Sequence, residues 1–238
     1  MPRLDVLVTK SGFAESRERA QALIIAGKVR VAGETVRRPD RSVSDDASIS
    51  VEDGPSYASR GALKLGPALT SFGIDPAGLV CADIGASTGG FTDVLLRRGA
   101  AKVYAIDVGR GLLHWRLRQD PRVVVIERVN ARELEAFPEP VSLIVVDVSF
   151  IGLEKVLPAM RGAAPHAEVV ALFKPQFQVG RSEVGKGGIV RDQATIDAAL
   201  DRFRIWCASN GYKVRAEAPS ELPGADGNQE IFLDLVPT

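Results

Sequence analysis

Cysteine and histidine are nearly missing from this 238-residue chain, with two of each. Two cysteines, Cys81 and Cys207, cannot build a disulfide framework, so a reducing, cytoplasmic location is expected. Two Cys and two His make no dedicated zinc site without carboxylates, and no metal is expected. No apolar run approaches the about 20 residues that span a bilayer, and residues 1–10 lack the pattern of a signal peptide. Internal repeats and low-complexity tracts are absent as well. There is also no excess of one charge: 30 Lys+Arg stand against 30 Asp+Glu, which taken whole argues against a nucleic-acid partner. What remains is ordinary for a globular protein, 45% hydrophobic and 25% charged, so disordered and fibrous classes are excluded. The length suits one large or two smaller domains.

The zero net charge is a cancellation. Residues 1–41 carry nine basic and five acidic side chains, +4, and residues 42–238 carry 21 and 25, −4. Such asymmetry points to a nucleic-acid-binding module joined to something else. The basic segment reads as a small α/β unit. An amphipathic stretch ends at Ser11-Gly12, and Ser16 N-caps a second helix whose apolar stripe is Ala20, Leu23 and Ile24. Gly27 closes that helix, and Gly33-Glu34 sits between two short β-branched runs as a hairpin signal. Gly54-Pro55-Ser56 marks a boundary, giving expected domains of residues 1–56 and 57–238.

Arg3-Leu4-Asp5, Ser16-Arg17 and the Gly27 to Gly33 turn resemble the S4-type (alpha-L) RNA-binding domain, in which Asn usually precedes the hairpin glycine where this chain has Ala32. The resemblance implies RNA contact through the basic side chains. Arg3, Arg17, Arg19, Lys28 and Arg30, with Arg37 and Arg38, are the candidate phosphate ligands here, and Arg60 is a further candidate just beyond the boundary. The front domain is expected to supply most of the RNA affinity.

Beyond the boundary, short β-branched runs at 79–84, 101–106, 123–126, 141–146 and 169–173 alternate with helical segments at 91–98 and 153–160. This pattern predicts an α/β fold with a mostly parallel, Rossmann-like sheet and helices on both faces. A long helix over 192–209 precedes two final strands, 212–218 and 230–236, the last expected to be antiparallel.

The stretch Asp83-Ile84-Gly85-Ala86-Ser87-Thr88-Gly89-Gly90-Phe91 ends the first of those strands and opens a helix. Its glycines let the backbone approach a ligand, and the helix start offers free N–H donors. Ser87 breaks the dinucleotide fingerprint, and no Lys-Ser/Thr follows to make a Walker loop. Asp107 ends the next strand, 22 residues after Gly85, where an acidic group can hold a ribose diol. Asp83 is placed to hold the amino end of a cofactor. Together the set resembles the S-adenosyl-L-methionine-dependent methyltransferase fold. That resemblance assigns cofactor contacts to Asp83, Gly85, Ser87, Thr88, Gly89, Gly90, Phe91, Asp107 and Asp147, with Asn130 near the adenine.

Ser59-Arg60-Gly61-Ala62-Leu63-Lys64-Leu65 resembles the opening segment of the FtsJ-like ribose methyltransferases, whose Lys-Asp-Lys-Glu tetrad acts on a ribose 2′-hydroxyl. The counterparts are Lys64, Asp147, Lys174 and Glu230. Sheet logic agrees, since parallel strands present their carboxyl ends on one edge and an antiparallel last strand begins there. Lys174 is the expected base, with Lys64 lowering its proton affinity and placing the ribose, and Asp147 and Glu230 orienting the two amines. Asp147-Val148-Ser149-Phe150 does not match the Asp/Asn-Pro-Pro-aromatic motif of base N-methylation. Cys81 and Cys207 read as core residues, not nucleophiles, and His114 and His166 have no assigned chemistry.

The stretch 173–192, with its Gly185-Lys186-Gly187-Gly188 run, together with Gly227-Asn228-Gln229-Glu230-Ile231, is similar to the TlyA (haemolysin A) family of ribosomal RNA 2′-O-methyltransferases, which more often has Glu at Gln178. The implied activity is methyl transfer to ribosomal RNA, at cytidines of one or both subunits. The glycine-rich, basic stretch 180–191 reads either as a mobile loop that closes over RNA or as an ordinary long connection. Two other readings stand beside it. One is a catalytically silent RNA-binding or assembly factor. The other, from the family's older name, is membrane lysis, which no amphipathic or spanning segment supports.

Overall fold

The computed structural model describes residues 2–14, 16–51, 57–224 and 226–238. Gly54-Pro55-Ser56, read above as a boundary, lies outside the described residues. The chain divides into two compact units, Met1–Ser56 and Tyr57–Thr238.

In the first unit, helices α1 (Leu4–Lys10) and α2 (Arg17–Ile25) pack on a three-stranded sheet of β1 (Val29–Val31), β2 (Glu34–Val36) and β3 (Ile49–Val51) in the order β2-β1-β3. Ser16 caps α2 by accepting from the Arg19 backbone N–H at 3.2 Å, which supplies one of the unpaired donors of the first turn. Gly27, at φ +75°, ends α2, with the Lys28 N–H returning to the Leu23 carbonyl at 3.0 Å. The hairpin turn is Ala32-Gly33, one residue earlier than the Gly33-Glu34 of the pattern, because Val31 pairs with Glu34. Both turn residues have positive φ, +50° and +86°, as a two-residue turn of this hand requires.

The second unit opens with α3 (Ala62–Phe72), followed by β4 (Val80–Ile84), α4 (Gly90–Arg97), β5 (Lys102–Asp107), α5 (Trp115–Arg118), β6 (Val123–Glu127), β7 (Leu143–Val146), α6 (Leu157–Ala163), β8 (Glu168–Phe173), α7 (Gln193–Ser209), β9 (Tyr212–Pro219) and β10 (Ile231–Pro237). The sheet has seven strands in the order β6-β5-β4-β7-β8-β10-β9. The first five of these run parallel, and β10 pairs antiparallel with both β8 and β9. Alternation along each strand builds two cores. Cys81, Val103, Val145 and Leu172 face α3 and α4, and Ala82, Ile106, Ile144 and Ala171 face α6 and α7.

Three further local expectations are corrected. The helix expected over 153–160 is broken into a 3-10 turn, Leu153–Lys155, and α6, because Pro158 has no N–H and its ring would clash with the Glu154 carbonyl. Glu230 precedes β10 instead of starting it. Helix α3, with Pro67 inside it, stands where the pattern had no helix.

Candidate active site

The order reverses at β4, whose neighbours are β5 and β7, so a crevice opens beyond the carboxyl ends of these strands. The loop 85–90 fills it with backbone. A Cβ on Gly85 would lie 2.4 Å from the Asp147 carbonyl oxygen, one on Gly89 2.3 Å from Leu117, and one on Gly90 2.2 Å from Ser59 Oγ. Gly85 and Gly89 are also at φ +83° and +95°, so both the space and the conformation call for glycine. Ser87 holds φ +49° with a side chain present, and its N–H donates to Asp107 Oδ2 at 2.7 Å. The other oxygen of Asp107 accepts from the Gly109 N–H at 2.7 Å. The Thr88 carbonyl accepts from the His114 N–H at 3.1 Å. Phe91 is buried and its ring lies 6.0 Å from that of Phe232, which anchors the start of α4.

Asp83 is fully buried at the base of this loop. Its Oδ2 accepts from the Thr92 N–H at 2.8 Å and from Thr92 Oγ1 at 2.6 Å, while Oδ1 has no hydrogen-bond partner among the described residues. Burial pushes its carboxyl up to about 7, with the charges of Asp147 and Asp107 adding to the rise and the Thr92 hydrogen bonds opposing it. A buried carboxylate oxygen left unpaired on a cavity wall is suited to a cationic ligand group.

Two cavities meet at Gly85, Ser87 and Asp147. The larger, about 810 Å³, is lined by Arg60, Lys64, Asp83, Gly90 and Gly224 among others. The second, about 430 Å³, has apolar walls from Val108, Leu112 and Ile151, with Asp107 and Asn130 at its rim. Asn130 also caps a short turn, accepting from the Arg132 N–H at 3.2 Å. At the mouth of the second cavity Phe150 is 91% exposed and at φ +66°, with its ring 5.3 Å from that of Phe177. The sequence pattern does not reveal this outward aromatic, because nothing in residues 147–150 signals a positive φ at a phenylalanine.

The four tetrad positions form two ion pairs. Lys64, in the first turn of α3, reaches Glu230 Oε2 at 2.6 Å across 166 residues of chain. Lys174, just after β8, lies 2.5 Å from Asp147 Oδ1, just after β7, and donates to Ser149 Oγ at 2.9 Å. The Ile231 to Phe173 register brings Glu230 to the end of β8. Both lysine side chains are largely buried, 14% and 10% exposed, and Glu230 is 3% exposed. A Cβ on Gly224 would lie 2.6 Å from Glu230 Oε1, so this glycine lets backbone close over the carboxylate. Ser149 and Gly224 are partners that residue spacing did not identify. Buried lysines with acidic partners, beside a cavity with an unpaired carboxylate oxygen, can hold a hydroxyl substrate and move its proton. Cys81 and Cys207 are both buried, their thiols pushed up to about 12 by burial, which leaves them unsuited to nucleophilic work.

The basic side chains of the first unit are differently engaged. Asp5, fully buried, accepts from Arg3 at 3.1 and 2.9 Å, from Arg17 at 3.0 Å and from Gln21 at 2.8 Å. The hydrogen bond from Arg3, then those from Gln21 and Arg17, hold its carboxyl far below the usual range against the opposing effect of burial. Arg19, Lys28, Arg37 and Arg38 are exposed and Arg30 is half-buried. Arg60 belongs to the second unit, where it is exposed on the rim of the larger cavity.

Comparison with known proteins matches residues 57–235 to the model of the FtsJ-like methyltransferases and residues 2–49 to that of the S4 domain. The chain is 49% identical to the 16S/23S rRNA (cytidine-2′-O)-methyltransferase TlyA of Mycobacterium tuberculosis, over 98% of this chain and 89% of the relative. It is 43% identical to Hemolysin A of Brachyspira hyodysenteriae, over 98% and 99% of the two chains. A solved structure from Streptococcus thermophilus superposes with a TM-score of 0.75 at 40% identity, covering 100% of this chain and 88% of that one.

Proposed function

The chain belongs to the FtsJ-like methyltransferase family, in the branch that carries an S4 domain in front, and on that premise we propose that it methylates the 2′-hydroxyl of cytidine in ribosomal RNA with S-adenosyl-L-methionine as donor. The observation that carries the reading is the pair of buried Lys–carboxylate contacts, Lys64–Glu230 and Lys174–Asp147, on the sheet edge beside the unpaired oxygen of Asp83. The residues present fit the donor. Asp83 Oδ1 suits its amino group, the loop 85–90 and the start of α4 its carboxylate, Asp107 its ribose, and the apolar second cavity with Asn130 its adenine. Bound there, the donor supplies a sulfonium methyl group open to in-line attack by a hydroxyl oxygen.

The remaining chemistry falls to the side chains. A ribose hydroxyl is a weak nucleophile and must lose its proton as it attacks. Lys174 takes that proton, held in direction by Asp147 and by the Ser149 hydroxyl. Lys64, fixed by Glu230, hydrogen-bonds and places the ribose. Phe150 offers its exposed ring to the base. The segment 1–56 acts as the RNA-binding domain and 57–238 as the catalytic one, working in the cytoplasm where ribosomal subunits are made.

Incorporation of labelled methyl groups into ribosomal RNA, with the 2′-O-methyl sites mapped, tests the reading. Lys174→Ala should reduce incorporation by at least about a thousandfold and leave cofactor binding within a few fold. A wild-type protein that binds ribosomal RNA without methylating it would establish the silent assembly factor instead. One relative bears the name Hemolysin A, and no helix among the described residues is long and apolar enough to cross a membrane.

A further inference from the structure

The glycine-rich stretch 180–191 carries three exposed cations, Arg181, Lys186 and Arg191, against one acidic residue, Glu183. It is tied within itself. The Gly185 N–H donates to the Ile189 carbonyl at 3.0 Å, the Gly188 N–H to the Gly185 carbonyl at 3.1 Å, and the Gly180 N–H to Glu183 Oε2 at 2.7 Å. Among the described residues, one buried amide joins it by side-chain hydrogen bonds to the segment that carries Glu230. Asn228, 1% exposed, accepts from the Val190 N–H at 2.9 Å through Oδ1 and donates to the Gly188 carbonyl at 2.9 Å through Nδ2. The two bonds fix the orientation of the amide, since reversing it would set oxygen against oxygen and N–H against N–H.

The other side of Asn228 faces the tetrad. Its backbone carbonyl accepts from the Gly224 N–H at 2.8 Å, and Gly224 is the residue pressed against the Glu230 carboxylate. Glu230 in turn holds Lys64 at 2.6 Å. A contiguous set of contacts therefore runs from the backbone at 188–190 through Asn228 and Gly224 to Glu230 and Lys64.

We propose that Asn228 is a positioning residue that docks the basic loop 180–191 onto the segment carrying Glu230, so that RNA contact at the loop and placement of the Lys64–Glu230 pair are set together. The proposal rests on the methyl-transfer reading for its substrate. Only an amide serves both bonds: Asp keeps the acceptor for Val190 but sets a carboxylate oxygen against the Gly188 carbonyl, and Ala keeps neither.

The test uses the full chain with Asn228→Ala, Asn228→Asp, Lys186→Ala and the double variant Asn228→Ala/Lys186→Ala. Hydrogen exchange at the Val190 amide, methylation kinetics on ribosomal RNA and binding of S-adenosylhomocysteine are measured on each. For Asn228→Ala the expected result is faster Val190 exchange, kcat down and KM for RNA up by about tenfold each, and cofactor affinity within about threefold. Asn228→Asp should fall between Ala and wild type in exchange. Lys186→Ala should raise KM alone, and should add little once Asn228 is Ala, because the loop is already released. Unchanged kcat in Asn228→Ala, or a Lys186→Ala effect of equal size in both backgrounds, would overturn the coupling. A wild-type protein inactive on ribosomal RNA counts against the functional reading and leaves the dock to be decided by Val190 exchange, where no change in Asn228→Ala refutes it.

Discussion

Replacing Asp83 with Asn removes one ionisable group from a buried position on the cavity wall. The carboxyl rises from 3.8 to about 7, burial being the main cause, so the folded protein binds a proton there that the unfolded chain releases three pH units earlier. The sign follows from linkage. Stability from this group is fully present below the unfolded value and is lost as pH climbs through the folded one. At about 1.4 kcal/mol per unit, the whole loss comes to about 4 kcal/mol, of which about 3 falls between pH 5 and pH 8. Asn cannot ionise, and its oxygen can still accept both Thr92 bonds, so the variant should lack this loss. Urea unfolding followed by tryptophan fluorescence suits the measurement, because Trp115 and Trp206 both lie in the second unit. The expected outcome is a stability difference between variant and wild type that shifts in the variant's favour by about 3 kcal/mol between pH 5 and pH 8. A difference between the two proteins that stays constant across that range would show that Asp83 ionises as an ordinary carboxyl and would refute the argument. The same substitution should weaken cofactor binding and abolish the proton release that accompanies it in wild type, read as a binding heat that depends on the buffer.

Two further substitutions test the backbone. Gly85→Ala places a Cβ 2.4 Å from the Asp147 carbonyl at φ +83°, and should cost about 2–4 kcal/mol and most of the cofactor affinity, measured by thermal unfolding and calorimetric titration. Ala32→Asn suits the φ of +50° in the hairpin turn better than Ala does, and should stabilise the first unit by about 0.5–1 kcal/mol, seen as slower amide exchange in β1 and β2.

The parallel strands were legible because burial on both faces writes them as β-branched runs. The loop after β4 was legible because its glycines are demanded by a carbonyl and side chains that leave no room for Cβ. Helix α3 was hidden by Gly66-Pro67, which reads as a break. Its stripe of Ala62, Leu65, Ala68 and Leu69, all buried, carries the helix past the proline. The error over 153–160 has the opposite origin, a periodic pattern trusted across Pro158. Within the site, the resemblance to the FtsJ-like enzymes named Lys64, Asp147, Lys174 and Glu230, with the sheet edge agreeing for the last three, but it did not say which carboxylate meets which lysine. That pairing depends on how α3 lies on the sheet and on the register of β10 against β8, both set by packing across the whole unit. Asn228 was visible only as part of a motif, since its partners at 188 and 190 are about 40 residues away.

Charge counting drew the division of the chain at residue 41, yet it treats every cation alike, and Asp5 shows why that misleads. Arg3 and Arg17 share one buried carboxylate, so the three residues together amount to a single positive charge. Their side chains are nonetheless 45% and 50% exposed. An arginine has five N–H donors, and the bonds to Asp5 use two from Arg3 and one from Arg17. The bonds to Asp5, which is itself held by Gln21, set the orientation of both guanidinium groups. A phosphate meeting such a fork freezes less side-chain freedom than one meeting a free lysine. On the proposed RNA-binding role of this unit, the buried acid subtracts from the count of positive charge while fixing two of its members in place, and the excess of +4 does not register that order.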